Sequence, residues 1–226
     1  MFNKVRNLVA IVGLFLLSAT SVSAQNTVYI EQIGNTNTVS ITQVGNTNRV
    51  GTSGTPSSIN GNNNTLTTTQ TGDGNSIDYA VIGNNNTVTK TVTGDTNQIT
   101  FTCGDGTTSC TNVTSTMTIV GDLNTVTSTI KGSDITNTLS ITGNTNTVTQ
   151  TITTNDSSST ITILGDSNTL TSSMTGASAG GGHVLVAAIT GTSNTHTITQ
   201  YGTVDTTVNL TTTGNSNTVT VNTGRN

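Results

Sequence analysis

Gln32-Ile33-Gly34-Asn35-Thr36-Asn37 is followed eleven residues later by Gln43-Val44-Gly45-Asn46-Thr47-Asn48, and the reading of this pair decides the fold. Each copy opens on a glycine, which accepts backbone angles closed to other residues, and continues with asparagines, which favour turns. The segment after each turn alternates in character. Thr38-Val39-Ser40-Ile41-Thr42-Gln43 and Thr87-Val88-Thr89-Lys90-Thr91-Val92-Thr93 place β-branched residues on both faces with a period of two. The unit is one turn followed by one short strand.

Working outward, glycine marks the same unit along most of the chain, at Gly34, Gly45, Gly61, Gly72, Gly83, Gly94, Gly121, Gly132 and Gly143, then Gly165, Gly176, Gly191, Gly202 and Gly214. Most neighbouring spacings are 11 residues, and Thr154-Asn155-Asp156 stands where Gly143 to Gly165 skips a mark. Numbering the glycine as position one, positions four, six, eight and ten share a face if alternation carries through the turn. Position four is Asn37, Asn48, Asn64, Asn75, Asn86, Asn97, Asn124, Asn146, Asn168, Asn194 or Asn217. Position six is usually Val, Ile or Leu, and position ten carries Gln32, Gln43, Gln70 and Gln200 in some units and Val, Ile, Met or Cys103 in others. The opposite face is rich in Thr.

One short strand with so thin an apolar set cannot hold itself together. Two units folded back as strand-turn-strand, and stacked on the next pair at about 4.8 Å, give an all-β solenoid. Each rung then uses 22 residues. Inward Asn and Gln need partners, because a buried unpaired amide is costly. Identical amides in successive rungs supply them as hydrogen-bonded ladders. The spacing breaks in three places, giving expected insertions near 52–60 (with Pro56), 104–120 and 177–188 (with Gly180-Gly181-Gly182). Repeats resume after each, so residues 25–226 read as one domain.

Residues 1–24 stand outside it. Lys4 and Arg6, an apolar run from Leu8 to Leu17, and Val22-Ser23-Ala24 have the layout of a secretory signal peptide cleaved before Gln25. Without them six basic residues fall to four against ten acidic ones, a formal net charge of −6. Such a surface offers no grip on nucleic acid or acidic membranes. Cys103 and Cys110 are spaced for a disulfide that pins a small loop, or for two reduced thiols. No His, Cys or carboxylate spacing implies a metal site, a nucleophile with its base, or an acid–base pair, and no nucleotide loop is present. A non-enzyme without cofactor or small-molecule substrate is expected.

The Gln-x-Gly-Asn-Thr-Asn stretches at 32–37 and 43–48, with a third close copy at Gln70-Thr71-Gly72-Asp73-Gly74-Asn75, resemble the curlin repeat of bacterial curli subunits. In weaker form the resemblance extends over nearly all of residues 27–224, although after Gln70 many units place Val, Ile or Met where that pattern has Gln. It implies secretion through an outer membrane, polymerisation into functional amyloid on the bacterial surface, and a role in adhesion and biofilm matrix. The partners it implies are further copies of the chain, a nucleator subunit and an outer-membrane secretion apparatus. Two other readings stay open. Exposed threonine rows such as Thr87, Thr89, Thr91 and Thr93 would suit a monomeric ice-binding solenoid, and a passive cell-surface or phage-fibre stalk would need no ligand.

Overall fold

The computed structural model describes residues 25–176 and 182–225. They form strands and turns with no helix, in about eight turns of a parallel β-solenoid. The expected signal peptide lies outside the described residues. Successive units alternate between two sheets. One sheet stacks eight strands in chain order: Thr38–Val44, Thr65–Thr71, Thr87–Thr93, Thr114–Val120, Thr136–Thr142, Ser158–Leu164, Val184–Thr190 and Thr207–Thr213. The facing sheet has a main path of nine, from Thr27–Val28 through Ser76–Asn84, Gln98–Cys103, Thr125–Ile130 and Thr147–Thr153 to Thr218–Arg225. Every strand pair is parallel and keeps its parity, so an inward residue always lies over an inward residue.

The rung is 22 residues: Thr125 pairs with Thr147, Thr147 with Thr169, and Leu139 with Ile161. Where the offset grows, as between Gln98 and Thr125 or Thr65 and Thr38, residues bulge out at a corner and the register recovers at once. These bulges are shorter than the spacing alone implies. Ser57–Asn60 is already a strand paired with Ile30–Ile33 and Ser76–Asn84, so only the first part of 52–60 leaves the stack. Cys110 pairs with Gly83 and Gly132, which puts Cys110–Val120 in full register and confines the second bulge to 104–109. Cys110 holds the place of the glycine, and that substitution hid the unit. In the third expected insertion Val184–Thr190 is an ordinary strand, while 177–181 lie outside the described residues.

The turn is as regular as the strand. Position one has positive φ, such as 135° at Gly143 and 125° at Gly165. A Cβ on Gly143 would sit 2.1 Å from the carbonyl oxygen of Gly165 on the next rung, so stacking as well as torsion demands glycine. Position three is left-handed in most units, with side chains as different as Thr36, Asn63, Leu123, Thr145 and Ser167. Corner amides bond between rungs as strand amides do: Thr145 N–H donates to Asp122 O at 2.9 Å and Ser167 N–H to Asn144 O at 2.9 Å. Inside, Val126, Val148 and Leu170 lie in one column and Ile119, Ile141, Ile163 and Ile189 in another, each at most 1% exposed. Burying whole aliphatic side chains, at about 1.5–3 kcal/mol each, offsets the chain entropy of so thin a fold.

Candidate functional site

Alternation between sheets sorts the position-four residues into two corner columns. One is asparagine throughout: Asn26, Asn48, Asn75, Asn97, Asn124, Asn146, Asn168, Asn194 and Asn217. Asn124 shows its chemistry. Its Nδ2 donates to Asn97 Oδ1 at 3.0 Å on one rung and to Gly143 O at 2.8 Å on the other. Its Oδ1 accepts from the backbone N–H of Asn146 at 2.9 Å and from Asn146 Nδ2 at 3.1 Å. Two donors and two lone pairs are all used, so a 0% exposed amide carries no unmet demand. The same four bonds recur at Asn146, with Asn124, Gly165 and Asn168 as partners.

The opposite corner begins the same way and then changes. Asn37, Asn64 and Asn86 stack, with Asn64 Nδ2 on Asn37 Oδ1 at 3.1 Å and Asn86 Nδ2 on Asn64 Oδ1 at 2.9 Å. Val113 follows, its backbone N–H still donating to Asn86 Oδ1 at 2.9 Å, then Ile135, Ser157, His183 and Thr206. Among the described residues, asparagine therefore forms a continuous ladder at one corner and a short one at the other.

The glutamines divide too. Gln43 and Gln70 share a column, Gln43 Nε2 donating to Gln70 Oε1 at 2.8 Å, and Val92 ends the run. Gln70 Nε2 continues to Asn75 O at 3.0 Å, tying the facing sheet to it. Gln32 and Gln200 do not stack on other amides, which corrects the expectation. Gln32 lies in the other sheet against Ile59, and Gln200 between Met174 and Thr223. Gln200 Nε2 instead bonds Val184 O and Thr206 O, both at 2.9 Å, holding the corner that leads into Val184–Thr190 and Thr207–Thr213.

Position two forms an exposed row outside the long ladder. Asp73 Oδ1 accepts from Asn46 N–H, Asp95 from Asp73 N–H, Asp122 from Asp95 N–H and Asn144 from Asp122 N–H, at 2.6–2.7 Å. A short side-chain acceptor is what the site requires, which accounts for the interchange of Asn and Asp there.

Cys103 and Cys110 are disulfide-bonded with Cα atoms 5.6 Å apart, closing the 104–109 bulge. Lys131 on the next rung pairs with Asp105 at 2.6 Å. That ion pair, with the N–H groups of Thr108 and Thr107, holds the Asp105 carboxyl well below the usual carboxylate range.

Sequence reasoning missed the polar groups inside. Lys90 is 0% exposed, with Nζ 3.0 Å from Ser115 Oγ and 3.7 Å from the centre of the Phe101 ring. Desolvation lowers its pKa to about 7. His196 is also buried, one ring nitrogen 2.9 Å from Thr212 Oγ1, and desolvation lowers its pKa. Parity was the available signal, since Lys90 sits at position eight of its unit and must point inward. No family model matches the chain, and no curated protein matches it.

Proposed function

We propose that the chain is the structural subunit of a secreted, curli-like surface fibre, in which copies stack end to end and extend one another's ladders. The observation that carries this reading is the asparagine column, which keeps one chemistry from Asn26 to Asn217. A second copy set on the described stack meets strand edges with backbone N–H and C=O groups to pair, and an asparagine in place to continue the ladder. Inward residues support it: Val219 and Val221 at one end of the described stack resemble Val28, Ile30, Val39 and Ile41 at the other. Export, display on a bacterial surface, adhesion, biofilm matrix, and dependence on a nucleator and an outer-membrane apparatus belong to the same reading and rest on the repeat's resemblance to curlin. The test is electron microscopy of purified mature protein over time with thioflavin fluorescence. Growing unbranched fibres are expected; a permanently monomeric protein rejects the reading.

One observation favours a second reading. On the eight-stranded sheet the outward residues Thr65, Thr67 and Thr69, Thr87, Thr89 and Thr91, and Thr114, Thr116 and Thr118 form an uncharged hydroxyl grid in register. A regular grid of this kind suits ice. Inhibition of ice recrystallisation by fresh monomer, without fibre growth, would select that reading; thread-like growth without inhibition selects the fibre.

A further inference from the structure

A solenoid with uniform columns has a register problem. Every rung of the long ladder offers an asparagine, every turn at that corner from Gly45 to Gly214 offers a glycine, and the aliphatic columns offer Val, Ile or Leu. If one 22-residue turn loops out, the strands on either side meet with ladders and parity intact, so these columns do not tell one rung from the next. The disulfide does not help, because Cys103 and Cys110 close a bulge within one turn of chain.

Along the middle of the described stack runs a linked set of buried polar groups that are not interchangeable. Lys90 Nζ donates to Ser115 Oγ at 3.0 Å, and Ser115 Oγ donates to Asn137 Oδ1 at 3.1 Å. Asn137 Nδ2 crosses to the facing sheet and donates to Gln150 Oε1 at 2.7 Å; Gln150 Nε2 crosses back to Ser159 Oγ at 2.6 Å. All five residues are at most 1% exposed. The relay joins four consecutive strands, Thr87–Thr93, Thr114–Val120, Thr136–Thr142 and Ser158–Leu164, through Thr147–Thr153 opposite. Donor and acceptor alternate along it in a fixed order.

We infer that the buried relay Lys90–Ser115–Asn137–Gln150–Ser159 is a register lock that selects the native rung order from slipped alternatives. Omit the Thr136–Thr142 strand, and Gln150 Oε1 loses its amide donor while Ser115 Oγ meets Ser159 in place of an amide oxygen. A slip of one rung thus leaves buried polar atoms unpaired in the middle of the core, although the long asparagine ladder and the aliphatic columns accept it. Replacing the set by apolar residues of the neighbouring kind removes the distinction without removing burial. Polar groups of this sort can specify an arrangement while contributing little to stability. The relay concerns register within a chain, so the inference goes beyond fibre formation and does not depend on it.

The test uses dilute mature protein with cysteine reporters on the outward face. Thr116 and Thr138 are neighbours in the native register, and Thr138 and Thr160 are the next pair. T116C/T138C therefore cross-links in the native order, whereas T116C/T160C cross-links only after a one-rung slip. With the relay intact, only the first pair should close. In the background Lys90→Met, Ser115→Val, Asn137→Leu, Gln150→Leu and Ser159→Val, the chain should keep its β circular dichroism. The T116C/T160C cross-link should then rise about tenfold or more. The exchange Asn137→Gln with Gln150→Asn keeps both amides and should retain the native pattern. An apolar variant that cross-links only in the native order overturns the inference. So does one that loses its β-structure, since the relay would then be needed for folding itself.

Discussion

Asn124→Ala tests the long ladder where it is most completely bonded. The substitution removes four hydrogen bonds, two donated to Asn97 Oδ1 and Gly143 O and two accepted from the backbone N–H and Nδ2 of Asn146. Asn97 Oδ1 still receives the backbone N–H of residue 124 at 2.9 Å, so it is not stranded. The Asn146 N–H and the Gly143 carbonyl are fixed by the stack and lose this partner. At about 1–3 kcal/mol for each buried group left unmet, the cost is about 4 kcal/mol. Asn217→Ala is the internal control. Asn217 is half-buried and its side chain donates to Asn194 Oδ1 at 2.9 Å, an acceptor that keeps the Asn217 N–H. Its loss should cost about 1 kcal/mol. Urea unfolding of freshly prepared monomer, followed by far-ultraviolet circular dichroism, reads both on one scale. Equal midpoints for the two variants, or a cost below about 1 kcal/mol for Asn124→Ala, would refute the reasoning that the ladder is bonded on both sides.

Lys90→Met should stabilise the fold at pH 7 and flatten its pH dependence. Because the pKa of Lys90 is about 7 in the fold and near 10.4 in the unfolded chain, the unfolded chain binds more protons between those values. Wild-type stability should therefore rise by about 3 kcal/mol from pH 7 to 9.5, and the variant should show no such rise in urea titrations at the two pH values. Gly143→Ala places a Cβ 2.1 Å from Gly165 O at φ 135° and should cost more than about 3 kcal/mol. Gly214→Ala has φ 119° but meets no backbone, only Asn217 Nδ2 at 3.3 Å, and should cost clearly less in the same assay. Leu123→Asn, at a left-handed and 56% exposed turn residue, should raise stability by about 0.5–1 kcal/mol, read as a higher melting temperature.

The period, the turn–strand unit and the inward parity were legible in the sequence because glycine, asparagine and β-branched residues each answer to a local requirement. Pairing two units into a 22-residue rung followed from the need to bury one face. What the one-unit period concealed was the difference between corners. Asn37, Asn64 and Asn86 read like Asn48, Asn75 and Asn97, yet only the second series runs on, and every second unit must be compared to see Val113 and Ile135 take over. Cys110 in a glycine's place concealed a regular unit, since backbone register survives a change in the marker residue. Position three carries no residue signature, because its left-handed torsion is imposed by bonds to the rungs beside it, and Thr, Leu, Ser and Asn all submit to it. The relay from Lys90 to Ser159 lay beyond reach for another reason. Its bonds depend on which strands face each other across the core, and adjacency in a unit does not say that.

Fibre diffraction from aligned assemblies tests the central proposal most directly. If copies of this chain extend the solenoid along its own axis, strands lie perpendicular to the fibre and give a meridional reflection at about 4.8 Å. A soluble monomer that never yields fibres would contradict the proposal, as would fibres whose 4.8 Å spacing lies off the fibre axis.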